Sequence, residues 1–168
     1  MNSKKNIILI GMPGSGKTTF GKALAEQLHR PFFDADDVIE KREGKTIPQL
    51  FAISEDHFRE AEIRASLWLS QKEGLVVACG GGVIKRPENM VLLKKTGVVF
   101  FLDRDPDAIV SDVDVSTRPL LKDGAQKVYD LYDERIDLYK KAADLHIKND
   151  KAMRDVLQDL EDVIYRLD

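Results

Sequence analysis

Apolar and polar positions alternate along this chain between short continuous runs and helical stripes. Asn6 to Ile10 is a nearly unbroken apolar run, as a strand buried on both faces requires. From Lys17 to His29 the apolar positions Phe20, Ala23, Leu24 and Leu28 recur at helical spacing. Pro31-Phe32-Phe33 begins a second short strand that ends in Asp34-Ala35-Asp36-Asp37, and Val38 to Arg42 reads as helix until Gly44. Thr46-Ile47-Pro48 reads as the capped start of a short helix reaching about Ile53, with proline in its first turn. Ser54 is the N-cap expected for a longer helix, with Phe58, Ala61, Ala65, Trp68 and Leu69 on one face. Leu75 to Ala78 is a third strand running into Cys79-Gly80-Gly81-Gly82, a helix from Pro87 stops before Gly97, and Val98 to Leu102 is a fourth strand. Asp105-Pro106 starts another helix. Ser111 to Gly124 is polar and aperiodic, and is expected to be a long functional loop. Val128, Leu131, Tyr132, Leu138, Tyr139 and Ala142 form the stripe of a long helix. Leu145 to Ile147 is a fifth strand, and Met153, Val156, Leu157, Leu160, Ile164 and Leu167 mark an amphipathic closing helix.

Strands that alternate with helices predict a parallel sheet whose right-handed crossovers cover both faces. The expected fold is a single α/β domain over residues 1–168, a three-layer α/β/α sandwich around five parallel strands. In such folds ligands lie beyond the carboxyl ends of the strands. The three least ordinary segments of the chain, Gly11 to Thr18, the Asp34 cluster and the triple glycine, all follow strands.

Gly11-Met12-Pro13-Gly14-Ser15-Gly16-Lys17-Thr18 fits G-x-x-x-x-G-K-[ST], the phosphate-binding loop of nucleoside triphosphatases. Glycines let backbone amides close around phosphate oxygens, and the following helix adds its positive end at the same point. Lys17 is spaced to reach the β- and γ-phosphates, and the Thr18 hydroxyl to ligate Mg²⁺. Gly14, Ser15, Gly16, Lys17, Thr18 and Thr19 are the nucleotide-binding candidates.

Composition narrows the partners. Hydrophobic residues at 43% and charged residues at 33% describe an ordinary globular chain of 168 residues. A net charge of −3 argues against a nucleic-acid binder, so a nucleotide must be held by local groups. One cysteine, Cys79, excludes an internal disulfide, and the first apolar run is too short for a signal peptide or membrane span. A cytoplasmic monomer that works on small molecules is expected.

Other residues carry two readings each. Asp34 and Asp36 stand two apart, so on an extended strand end both would point the same way, one toward Mg²⁺ and one toward a hydroxylated substrate. Capping of the next helix is the plainer alternative. Asp103, closing the fourth apolar run, rivals Asp34 for the metal, and the residues alone leave the two tied. Arg135 falls inside an apolar stripe, where a guanidinium requires a partner, either an internal carboxylate or a substrate anion. Arg59 lies beside such a stripe. Gly80-Gly81-Gly82 reads as a turn or as backbone approaching a ligand. Arg118, in the long loop, is a surface charge or a lid arginine closing on phosphates. Cys79 reads as a packed residue, and the three histidines have no metal or triad spacing.

In order along almost the whole chain, the phosphate loop, Phe33-Asp34-Ala35-Asp36-Asp37-Val38-Ile39-Glu40, Phe58-Arg59-Glu60 and Gly80-Gly81-Gly82 are followed by Ser116-Thr117-Arg118-Pro119-Leu120-Leu121 and Arg135-Ile136-Asp137-Leu138-Tyr139. This ordered set resembles the shikimate kinases, P-loop small-molecule kinases. The resemblance implies phosphorylation of the 3-hydroxyl of shikimate by ATP, in aromatic amino-acid biosynthesis. It implies that Asp36, Arg59, Gly81, Gly82 and Arg135 bind shikimate, the two arginines taking its carboxylate. Thr18 and Asp34 would hold Mg²⁺, which breaks the tie with Asp103, and Lys17 and Arg118 would stabilise the transferred phosphoryl group. Asp36 or Asp34 would take the hydroxyl proton. A substrate-binding segment would span about Asp34 to Glu62 and a lid about Ser111 to Gly124. The chain departs from the family pattern at Val110-Ser111-Asp112-Val113, which lacks a basic residue expected against adenine, and in the short loop Lys148-Asn149-Asp150-Lys151. Related kinases of gluconate or of a nucleoside monophosphate are the nearest alternative, and a nucleotide-dependent protein switch the alternative of another class. The chain carries neither Asn-Lys-x-Asp nor Asp-x-x-Gly, as a guanine switch would.

Overall fold

Every residue of the first strand, β1 (Asn6–Ile10), is buried, because β1 occupies the middle of the sheet. The computed structural model describes residues 4–112 and 121–167. After β1 the chain runs through α1 (Lys17–Leu28), β2 (Phe32–Asp34), α2 (Ala35–Glu43), α3 (Ile47–Ile53), α4 (Glu55–Ser70) and β3 (Val76–Ala78). A single 3₁₀ turn (Val83–Lys85) precedes α5 (Pro87–Lys94), β4 (Gly97–Asp103), α6 (Pro106–Ser111), α7 (Leu121–Ala142), β5 (Leu145–Lys148) and α8 (Met153–Arg166). The five strands are parallel in the order β2-β3-β1-β4-β5.

Strand periodicity divides the core in two. Ile8, Ile10, Val77, Val99 and Phe101 face one way, into a layer that includes α2, α4, α5 and α7. Ile7, Leu9, Val76, Phe100 and Leu102 face the other way, onto α1 and α8. This is the expected three-layer sandwich. Its helix starts are set by the anticipated caps: Thr46 forms a reciprocal capping box with Gln49, the Ser54 hydroxyl accepts from the His57 amide, and Asp105 accepts from Asp107.

Four local expectations change. Helix α2 starts at Ala35 rather than Val38, because Asp34 is its N-cap and accepts the Asp36 amide at 2.9 Å. Asp36 therefore sits in a helical turn, not on an extended strand end, and the same-side argument for the two carboxylates does not apply. Second, Leu138 is 44% exposed. At 100° per residue it falls at the rim of the stripe centred on Arg135 and Tyr139. Third, Ser111 closes α6 and Leu121 to Gly124 belong to α7, so helix takes both ends of the expected loop. Residues 113–120 of that segment, including Arg118, lie outside the described residues. Fourth, the turn after the triple glycine is a 3₁₀ turn, which the sequence pattern does not announce.

Candidate active site

The phosphate loop joins the end of β1 to α1, at the carboxyl edge of the sheet. Gly14 and Gly16 take φ of +81° and +101°, a left-handed backbone that side chains resist. Gly16 is also the N-cap of α1 and supplies no side chain to its first-turn amides, which stay available to an anion. The Lys17 ammonium folds over the loop and donates to the carbonyls of Gly11 and Met12, both at 2.8 Å. Burial lowers its pKa to about 8, with the charges of Asp36 and Asp34 partly opposing the shift. Two residues from later strand ends hold the loop from outside: Asn149 donates to the Ser15 carbonyl at 2.9 Å, and Arg104 to the Gly14 carbonyl at 3.0 Å. The Ser15 hydroxyl is buried without a partner among the described residues. Thr19 stands exposed in the first turn of α1.

Beside this loop the Thr18 hydroxyl donates to Asp34 at 3.1 Å. Asp34 spends its other oxygen on the cap of α2, so one carboxylate orients itself and the helix that carries Asp36. Asp36 is pushed above the usual carboxylate range, first by burial and then by the neighbouring Asp34 charge, while Lys17 pulls the other way. Asp103, the rival for a metal, is engaged elsewhere. It accepts from the Tyr132 hydroxyl at 3.2 Å and pairs with His146 at 2.8 Å. Geometry thus separates the two aspartates that the residues alone left tied. Thr18 and Asp34 present two hard oxygens side by side at the phosphate loop, a donor set that fits Mg²⁺.

The two arginines are both buried but differently occupied. Arg59 of α4 pairs with Glu62 one turn on, at 2.9 Å, and donates to the Gly82 carbonyl at 3.1 Å. Its guanidinium also lies 5.0 Å from the centroid of Phe58. Arg135 of α7 makes no ion pair among the described residues, and its Nε has no hydrogen-bond partner. The internal salt bridge considered for Arg135 is therefore absent among the described residues, which leaves a buried guanidinium without an ion pair there.

The triple glycine turns out to be about space. A Cβ on Gly80 would come 2.9 Å from an Asp36 oxygen, one on Gly81 2.7 Å from Pro13, and one on Gly82 2.8 Å from the Arg59 guanidinium carbon. None of the three has positive φ. The missing side chains let Asp36, the phosphate loop and Arg59 converge on one backbone turn.

Sequence reasoning passed over several participants. Glu62 is 3% exposed, has its pKa raised by burial, and neutralises Arg59. Its signal was present: it stands three residues after Arg59 and between Ala61 and Ala65 of the buried stripe. The loop ties from Asn149 and Arg104 carry no motif. Cys79 is buried, as read, and burial pushes its thiol pKa up. A groove of about 850 Å³ at the outer edge of β2, beside Lys22, Arg42 and Trp68, reaches this cluster only through Asp34. Chemistry favours the buried cluster over that wider groove.

The family model described as shikimate kinase matches residues 13–165. A shikimate kinase of Clostridium beijerinckii is 41% identical over 161 residues, covering 96% of this chain and 95% of its own. The solved shikimate kinase of Acinetobacter baumannii in complex with shikimate superposes with a TM-score of 0.85 at 37% identity, covering 96% of this chain and 93% of that one. A gluconokinase of Sinorhizobium meliloti superposes with a TM-score of 0.66 at 17% identity, over 99% of this chain and 95% of its own, and so shares the fold alone. With a family match over nearly its whole length and a relative this similar, the chain belongs to the shikimate kinase family.

Proposed function

We propose that the buried cluster at the carboxyl edge of the sheet is where this ATP-dependent kinase holds shikimate against the γ-phosphate of ATP. The observation that carries the reading is Arg135, a buried cation with no ion pair among the described residues, one turn before Tyr139, whose hydroxyl donates to the Gly81 carbonyl of the glycine turn. Arg59 and Arg135 take the substrate carboxylate, as paired guanidinium groups do well. Gly81 and Gly82 bring backbone against the ring, and Asp36 accepts from its hydroxyls.

The 3-hydroxyl oxygen bonds to the γ-phosphorus as the bond to the β–γ bridging oxygen breaks, giving shikimate 3-phosphate and ADP. The hydroxyl proton passes to Asp36, whose raised pKa suits the task. Lys17 leaves its loop carbonyls for the phosphates, and the amides of Gly14 and of Gly16 to Thr19 wrap them. Arg118 closes over the transferred group. Thr18 and Asp34 would hold Mg²⁺, whose charge offsets that of the phosphates when it is bound. Positioning and electrostatics supply most of the rate. The enzyme works as a cytoplasmic monomer; among the described residues no helix is long and apolar enough to cross a membrane.

The test is ADP release with MgATP and saturating shikimate, gluconate, AMP, CMP or no acceptor. Turnover with shikimate alone is expected, and turnover with another acceptor would overturn the roles of Arg59 and Arg135. Asp36→Asn separates binding from proton transfer: kcat is expected to fall by about 10²-fold or more. Weaker shikimate binding with intact kcat would remove Asp36 as the base.

A further inference from the structure

Tyr139 is fully buried in α7, and hydrophobicity alone does not account for its phenol. The ring stacks on Phe101 of β4, with centroids 5.1 Å apart and planes at 23°. Phe101 is stacked in turn on His146, at 4.9 Å, so the phenol is held by a layer of rings across β4 and β5. Its hydroxyl donates to the Gly81 carbonyl at 2.6 Å. One helical turn earlier on the same face, the Arg135 guanidinium bears on that hydroxyl. A phenol has one proton to give and lone pairs to receive. Donation to Gly81 therefore leaves an acceptor for an Arg135 N–H, and the hydroxyl joins α7 to the turn after β3.

We infer that Tyr139 is a positioning residue for the acceptor substrate: its hydroxyl fixes the Arg135 guanidinium in register with the Gly81–Gly82 backbone, so that a carboxylate and the ring it is attached to meet both at once. This rests on the assignment of Arg135 and Gly81 to shikimate given above. Arginine has several rotatable bonds, and Arg135 makes no ion pair among the described residues that would hold it before substrate arrives. A hydroxyl that donates to Gly81 and accepts from Arg135 would do so at little cost in charge. If Tyr139 served the core alone, phenylalanine would replace it without loss to substrate recognition.

Steady-state kinetics of Tyr139→Phe, with shikimate and ATP varied separately, tests the inference. KM for shikimate is expected to rise about tenfold, the effect of one lost hydrogen bond to a charged group. KM for ATP and kcat should stay within about twofold. A lower Tm with unchanged KM for shikimate would reduce Tyr139 to packing and overturn the inference. Arg135→Ala distinguishes the two levels of the argument. If it leaves KM for shikimate unchanged, the assignment of Arg135 itself fails. If it raises KM while Tyr139→Phe does not, only the positioning role fails. In the double variant the tyrosine substitution should add nothing to the loss from Arg135→Ala, and a full multiplicative effect would refute action through Arg135. Phe101→Leu, which keeps the hydroxyl but frees the ring, gives a second measure should Tyr139→Phe not fold. A raised KM for shikimate with unchanged KM for ATP supports the coupling, and no change in either refutes it.

Discussion

The proposed nucleotide side and the proposed acceptor side of this site are built on opposite plans. Eight consecutive residues, Gly11 to Thr18, make the phosphate loop, and its chemistry is mostly backbone. The acceptor side draws Asp36 from α2, Arg59 and Glu62 from α4, a glycine turn from after β3 and Arg135 from α7. The first plan needs only a strand, a turn and a helix in sequence. The second exists only when a parallel sheet has brought four distant segments to one edge. The two sides also wait differently. Lys17 is satisfied by its own loop carbonyls and Arg59 by Glu62, whereas Arg135 has no carboxylate among the described residues. With Arg135 lacking an ion pair among the described residues, electrostatic driving force is concentrated where the substrate anion is proposed to go.

The largest effect should come from the nucleotide side. Arg118→Ala is expected to lower kcat about 10³-fold or more, with shikimate affinity little changed. A fall in shikimate affinity with intact kcat would move Arg118 to the acceptor side and blur the division. Next comes Arg135→Ala, for which shikimate binding measured by calorimetry should weaken about 10–100-fold, as for loss of a charged hydrogen-bonded partner. Unchanged binding would mean that the Arg135 guanidinium does not mark the acceptor. Glu62→Gln probes the contrast between the arginines. Without ligand the protein should lose about 1–3 kcal/mol as Arg59 loses its buried countercharge, and saturating shikimate should restore most of the loss in Tm. Equal losses with and without shikimate would show that Arg59 does not meet the substrate anion.

The smallest and most diagnostic signal is in pH. Lys17 in the free enzyme has a pKa lowered to about 8, so above that pH it becomes neutral and holds phosphate poorly. The profile of kcat/KM for ATP should therefore fall above about pH 8. Phosphate charge favours the ammonium once ATP is bound, so kcat should persist to higher pH. Parallel declines in both profiles would place the titration elsewhere.

How far the sequence reached follows the same division. The phosphate loop, the three-layer sandwich and most helix starts were legible because each depends on neighbours in the chain: apolar runs, Thr46 and Ser54 caps, Gly-rich turns. Arg135 was legible as an anomaly within a stripe, but its lack of a carboxylate was not, since that depends on what α7 faces. The geometry of Asp34 and Asp36 was misread because the cap on Asp34 begins the helix one residue after the strand ends. Nor could the purpose of Gly80-Gly81-Gly82 be told from the residues, because the atoms that would strike a Cβ belong to Pro13, Asp36 and Arg59. Resemblance to a family supplied residue roles where local physics could not choose among them. The reason they are together lies in packing.

The place of β1 in the sheet has a consequence for how the enzyme comes into being. Ile7 lies opposite Val76 on one side and Val98 on the other. The strand that presents the phosphate loop is separated from β3 by four helices and a strand, and from β4 by still more of the chain. Such long-range parallel pairings form slowly, since the intervening chain must be ordered before the contacts reward it. The strand that bears the phosphate loop is thus among the last to be finished, and a chain cut before β4 would carry the whole nucleotide motif with one side of its strand unpaired.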